Sequence, residues 1–525
     1  MQLQRLRIAD FRNLKDFDIS FDADFGSHAI IGQNGSGKSN LIEAIVTIFR
    51  DLDLKAKSPF SYMLEYQCRE HHIQVSAEAD QRAQVVIDGD KRSANYLAEH
   101  AKQYLPSHVF AYYSGRSERI EALFQPHQKR FYDALLSGND ELLRRLFYCR
   151  NVHSQFVLLA YLMDDDPECR QILADLNIAA LDSVLFVLKK PYWYKNDLAE
   201  EVLQEGDNRF WYARGVVQEF LHELWQVAVA PIDSTENRLL DYRGRSEKQD
   251  LLYLFVPDKA ALQTLAAAIG EPARFFKYLE STYISDLIDE VKINVQHKDV
   301  AGNITFSQLS EGEQQLLTVL GLMRFTHEDE SLFLLDEPDT HLNPIWKLRY
   351  FDEIEKVVKL QDGNALGHSQ LIVTTHDPMM VGSLKREQVK ILRKQAGRSM
   401  VEVPDVNPQG MGVAGLLKSE LFGLRSTVDT ETLRRLDRRN VLFALDARTP
   451  DEDAEMAQLS DELSDLGFAS DFKDPYYAAF VKKMAQHTKF HKEVLTPEEL
   501  QQQDAIADDI ISEILAEEER KQGRS

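Results

Sequence analysis

The stretch "GQNGSGKSN", Gly32 to Asn40, holds the pattern G-x-x-x-x-G-K-[ST] at Gly32, Gly37, Lys38 and Ser39. Glycines let a backbone wrap phosphate oxygens, because a Cβ would block the approach or forbid the dihedrals. A helix opening at that point adds free N–H donors and partial positive charge. In this pattern Asn34, Gly35, Ser36, Gly37 and Asn40 line the cradle. Lys38 would reach the β- and γ-phosphates of a nucleotide and Ser39 would ligate Mg²⁺. The bland alternative is a glycine-rich turn that binds nothing.

Three further groups bear on the choice. "LFLLDEPDTHLNP" ends an apolar run in Asp336 and Glu337. Asp336 suits the Mg²⁺-holding carboxylate that partners Ser39, and Glu337 suits a general base that polarises water. Alone, two acids after a strand make a solvated turn; beside a phosphate loop they acquire a task. His376 closes "LIVTTH", where it could hydrogen-bond a γ-phosphate or serve as a satisfied structural histidine. In "LSEGEQQLL", Ser310 and Glu313 form a capping box. A capped N-terminus with Gly312 close behind is also an anion site, so the two readings are compatible.

The elements that must position these groups can be read from periodicity. "DFDISF" alternates, with Phe17, Ile19 and Phe21 on one face. "HAII", just before Gly32, is continuous and apolar, as a buried parallel strand is. Leu41, Ile45, Ile48 and Phe49 then recur at helical period. The order is strand, glycine loop, helix, the setting a phosphate loop needs. "HHIQVSAEA" and "AQVVIDG" predict strands, as do "EVKINVQHK", "LFLLDE", "QLIVTTH" and "QVKILRK". Leu316, Leu317, Leu320 and Met323 predict a helix behind Ser310. Between about 120 and 295 the pattern reads as mainly helical, with "ELLRRLFYCR" and "QEFLHELWQVAVA" as apolar stripes. The expected division is therefore 1–120, a lobe carrying the phosphate loop; 121–295, a mainly helical insertion; 296–400, the lobe carrying Ser310, Asp336 and His376; and 401–525, a helical region suited to docking a partner.

Composition narrows the classes. The net charge is −24, so any nucleic-acid contact must use a local basic patch. The densest is "RRLDRR", Arg434 to Arg439, which reads either as a backbone-binding patch or as a solvated helix face paired with Asp437. Three cysteines, none at zinc-finger spacing, fit a reducing compartment. There is no apolar signal-peptide region and no apolar run of membrane-spanning length, so a cytoplasmic location is expected and no membrane. His487 and His491 in "HTKFHKEV" lack the glutamate of a metalloprotease motif and read as a solvated face.

The order of motifs (phosphate loop, Ser310 segment, acid pair 26 residues on, then His376) resembles that of ABC-type ATPase heads. The resemblance implies an α/β fold: a P-loop head with a mixed sheet, a helical insertion and a helical C-terminal region. It implies ATP and Mg²⁺ as cofactors. It also implies that Ser310 and Gly312, with Glu313 beside them in the cofactor-binding segment, meet the γ-phosphate held by Lys38 of a second copy, in a head-to-head dimer that ATP binding joins and hydrolysis releases. Asn343 stands where the family's loop usually has aspartate, and the segment "VFAYYSGRSERI" occupies the place of the family's glutamine loop. "FRNL", with Arg12, is similar to the N-terminal strand of SMC- and RecF-like heads, where an arginine can approach the nucleotide.

The modest insert and the tail segments "LLKSELFGLRSTVDTETLRRL" and "DPYYAAFVKKM" resemble the PtuA-type ATPases of Septu anti-phage defence. That family implies an HNH endonuclease partner, PtuB, and in its retron versions a reverse transcriptase with its multicopy single-stranded DNA (msDNA). Other readings stay open: an SMC/RecF-like repair ATPase acting directly on DNA, an OLD-like ATPase–nuclease, or a scaffold that uses ATP to hold oligomers together. The OLD-like reading is the weaker, because residues 395–525 lack a glutamate followed by a D-x-D pair at a strand end.

Overall fold

The computed structural model describes residues 1–115, 117–138, 144–163, 166–195, 197–239, 243–298, 303–326, 330–362, 369–445, 447–468, 480, 483–484 and 497–522. They form two compact units, Met1–Met380 with Glu387–Glu402, and Val381–Arg386 with Val403–Ser525.

In the larger unit the strands run β1 (Gln2–Phe11), β2 (Leu14–Ser20), β3 (Ser27–Ile31), β4 (Tyr62–Cys68), β5 (His71–Ala77), β6 (Gln84–Ile87), β7 (Asp90–Ser93), β8 (Val109–Tyr113) and β9 (Leu146–Tyr148). They continue with β10 (Ile178–Lys189), β11 (Val229–Leu239), β12 (Ser246–Val256), β13 (Ile288–His297), β14 (Asn303–Thr305), β15 (Leu332–Asp336), β16 (Gln370–Thr375), β17 (Val389–Gln395) and β18 (Arg398–Glu402).

The central sheet has the order β18-β17-β3-β16-β15-β8-β9 and is parallel except for β18. Residues of β3, β15 and β16 are buried throughout, which is why they read as continuous apolar runs. Register aligns their ends: Asp336 lies opposite Thr374 and Tyr113, and Thr375 opposite Ile31. The four C-terminal ends thus form one row, where an open α/β sheet binds ligands. A second, antiparallel sheet has the order β2-β1-β4-β5-β6-β7. The helix Lys38–Asp53 joins both sheets in one core, with Leu41, Ile45 and Phe49 clustered with Leu6 and Leu64 of the second sheet and Leu334 and Ile372 of the central one.

Residues 121–295 differ from expectation. They contain strands as well as helices, and the third sheet, β11-β12-β10-β13-β14, is antiparallel. "LDSVLFVLK" and "LLYLFV" are apolar runs in which helical and strand periods cannot be told apart. "ELLRRLFYCR" is likewise no helix where it is described: Leu146–Tyr148 is β9, fully buried beside β8. This region does not separate from the head, since both lie within the larger unit. Within this region a buried triad ties the segment before β9 to two of its helices. Arg144 Nη1 lies 2.7 Å from Glu280 Oε1, and His153 Nε2 lies 2.8 Å from Glu280 Oε2. Glu280, on the helix Pro272–Ile284, has no solvent exposure.

The smaller unit contains the helices Gly412–Lys418, Thr430–Ala444, Pro450–Asp465 and Pro497–Gln522. Much of the basic run Arg434–Arg439 is absorbed by ion pairs. Arg438 meets Glu455 at 2.6 Å, Arg435 meets Glu431 at 3.2 Å, and Asp437 turns to Arg425. His487, His491 and most of "DPYYAAFVKKM" lie outside the described residues. No described helix is long and apolar enough to cross a membrane. All three cysteines are buried and none is in a disulfide.

Candidate nucleotide-binding site

The loop between β3 and the helix Lys38–Asp53 turns on two glycines in the left-handed region, Gly35 at φ 79° and Gly37 at φ 111°. A Cβ on Gly37 would also stand 2.6 Å from Ser399 Oγ, so glycine is required there twice over. Asn34 and Gly35 are exposed, whereas Ser36, Gly37 and Lys38 are buried and Ser39 and Asn40 half-buried. Three partners brace the loop. Ser399 Oγ donates to Ser36 O at 2.5 Å, Asn13 Nδ2 donates to Gly35 O at 3.2 Å, and Asn40 Nδ2 donates to Asn13 Oδ1 at 2.5 Å. Lys38 Nζ folds over the loop to donate to Gly32 O at 2.8 Å.

The acids at the end of β15 meet this loop. Lys38 Nζ lies 3.6 Å from Glu337 Oε1, and His376 Nδ1 lies 3.3 Å from the same oxygen. Glu337 adopts φ 51°, an uncommon conformation for a residue with a long side chain. Such strain concentrates at functional sites because the surroundings must enforce it. Here its N–H donates to Thr374 O at 3.0 Å and its carbonyl accepts from Thr340 Oγ1 at 2.9 Å.

Asp336 is fully buried, with Oδ1 accepting from Thr374 Oγ1 and Oδ2 lacking a partner among the described residues. Burial raises its pKa, and the hydroxyls of Thr374 and Ser39 oppose that rise. A buried carboxylate oxygen left over beside a serine hydroxyl is the donor set a hard divalent cation takes. The residues therefore fit Mg²⁺, which Ser39 and Asp336 would hold.

Lys38, Ser39, Asp336, Glu337 and His376 are thus brought together. Ser310, Gly312 and Glu313 sit at the start of another helix, Glu311–Thr326. Its capping box is formed: Glu313 N donates to Ser310 Oγ at 3.3 Å and Ser310 N donates to Glu313 Oε2 at 2.7 Å. This helix packs on the loop after the acids. A Cβ on Gly312 would stand 2.5 Å from His341 O, and His341 N donates to Gln315 Oε1 at 3.3 Å. Asn343 Oδ1 accepts from Trp346 N at 3.0 Å and so caps the next helix. Sequence reading missed Thr374, Asn13, Ser399 and the pair Ser114–Thr340, whose hydroxyls meet at 2.8 Å. Only Asn13 carried a signal, in "FRNL".

These features make an α/β head with a mixed sheet and a glycine loop, an arrangement suited to nucleotide binding and ATPase chemistry in general. The family described as "AAA ATPase domain" matches residues 1–106, and the one described as "AAA domain, putative AbiEii toxin, Type IV TA system" matches residues 194–381. The chain resembles the retron and Septu ATPases in sequence. It is 22% identical to "Retron Vc95 probable ATPase" of Vibrio cholerae serotype O1 biovar El Tor, over 79% of this chain and 78% of that protein. It is 30% identical to "Septu protein PtuA" of Bacillus mycoides, over 36% of this chain and 27% of that protein. Among solved structures, the SMC head domain from Thermotoga maritima aligns with 77% of this chain and all of its own at 13% identity, with a TM-score of 0.33.

Proposed function

We propose that this chain is the ATP-binding and ATP-hydrolysing regulatory subunit of a bacterial anti-phage defence complex. Asn34 to Asn40 cradle the phosphates, with Lys38 on the β- and γ-phosphates. Ser39 and Asp336 hold Mg²⁺, which supplies charge neutralisation when bound. Glu337 accepts the proton of the attacking water, and His376 hydrogen-bonds the γ-phosphate. Ser310, Gly312 and Glu313 of a second copy close the site, so two heads join around ATP and part after hydrolysis. The partner under this control is an HNH endonuclease of the PtuB kind, accompanied in a retron system by a reverse transcriptase and msDNA.

The observation that carries the catalytic part is the meeting of Lys38, Glu337 and His376 beside a buried carboxylate with a spare oxygen. The defence setting draws its support from the retron and Septu relatives. The test is co-purification of the chain with the products of its flanking genes, followed by a nuclease assay with and without ATP. A co-eluting nuclease whose cutting changes with nucleotide fits the proposal. A chain that elutes without a nuclease, or a nuclease indifferent to nucleotide, overturns it.

A further inference from the structure

The segment leaving β8 carries a basic group that the proposed chemistry does not use. It begins beside the acids, where Ser114 N donates to Asp336 O at 3.4 Å and Ser114 Oγ meets Thr340 Oγ1 at 2.8 Å. Further along, Arg119 Nε lies 2.6 Å from Glu43 Oε1. Glu43 stands one helical turn beyond Ser39, on the same face of the helix. Its side chain is 2% exposed, and it also holds Arg12 Nη2 at 2.6 Å. One buried carboxylate thus faces two guanidinium groups close to the proposed Mg²⁺ ligands. Its pKa reflects that setting: burial raises it, the two arginines lower it, and Asp336 adds to the rise.

The two arginines are not equivalent. Arg12 has a second side-chain partner in Asn40 Oδ1, at 3.2 Å. Arg119 is 47% exposed and sits in a turn outside any helix or strand. If Arg119 left, Glu43 and Arg12 would remain as a balanced pair, so no buried charge would be stranded. A triphosphate is the acceptor that could draw it, because guanidinium matches phosphoryl oxygens in both charge and geometry.

We propose that Arg119 is a switch residue that leaves Glu43 to bind the γ-phosphoryl group of a nucleoside triphosphate, so that the segment after β8 distinguishes triphosphate from diphosphate. The movement reaches the acid loop through Ser114 and Thr340. This assignment rests on the nucleotide reading above and adds a residue to it.

The test is equilibrium binding of Mg-AMP-PNP and Mg-ADP to the full chain and to Arg119→Ala, Arg119→Lys and Glu43→Gln. Arg119→Ala is expected to weaken AMP-PNP about tenfold or more while leaving ADP within about twofold, and Arg119→Lys to recover part of the loss. Glu43→Gln loosens the hold on Arg119 and is expected to shift preference the other way, toward AMP-PNP. A purely structural ion pair would move both nucleotides together. Equal weakening of both nucleotides by Arg119→Ala, or of neither, overturns the switch and leaves the nucleotide site standing. A wild-type chain that binds neither nucleotide overturns the site itself, and the switch with it.

Discussion

Lys38 and Glu337 lie 3.6 Å apart, ammonium nitrogen to carboxylate oxygen. The cation that would grip phosphate and the acid that would activate water are therefore mutual partners. Lys38 is 5% exposed and Glu337 26%, so the pair is partly shielded from water. Lys38→Ala removes the loop's own cation, and binding of ATP should fall by about a hundredfold or more. Equilibrium titration with a fluorescent ATP analogue measures this.

Glu337→Gln should separate binding from turnover. Glutamine keeps the shape and the partners at the end of β15 but cannot accept a proton. General-base loss lowers turnover by about 10²- to 10⁴-fold. ATP should then stay bound through a desalting column, whereas Lys38→Ala retains none. Nucleotide recovered from both variants is the readout.

Gly312→Ala tests the packing of the Ser310 helix on the acid loop. The added Cβ would meet His341 O at 2.5 Å, a contact with backbone that cannot be relieved by turning a side chain. Such overpacking costs about 1–3 kcal/mol. We expect ATP binding by the single chain to persist and turnover to fall, measured by titration and phosphate release on the same preparation.

The Glu280 triad predicts an acid-sensitive contact within residues 121–295. Burial alone would raise this carboxyl, but His153 and Arg144 hold it at about 2 in the folded chain, below its ordinary 4.5. A depressed carboxyl stabilises the fold fully above its unfolded pKa. That stability is lost as pH falls from about 4.5 toward 2. Glu280→Gln should cost about 3–5 kcal/mol at neutral pH, because it strands the buried Arg144. It should also flatten the acid limb of stability between those pH values. Urea midpoints at pH 7 and pH 3.5 check both.

The site was legible where backbone chemistry dictates residue type. Gly37 must be glycine for its φ of 111° and for the nearby Ser399, and Lys38 and Ser39 follow it in fixed order. Buried strands such as β15 and β16 were legible because they sit between other layers and are apolar throughout. The sheet built on β10, β12 and β13 was not, since an apolar run such as "LLYLFV" satisfies helix and strand alike until its partners are known. Thr374 and Ser399 were invisible for a different reason. They act through contacts that span 38 residues to Asp336 and 363 residues to Ser36, and no local pattern marks them.

The composite pocket is tested most directly by particle mass. Glu337→Gln is measured by light scattering with Mg-ATP and with Mg-ADP, and then again with Ser310→Arg added. The account predicts a doubling of mass in ATP alone, abolished by Ser310→Arg while ATP remains bound. A mass unchanged by ATP, or a doubling that Ser310→Arg leaves intact, would contradict it.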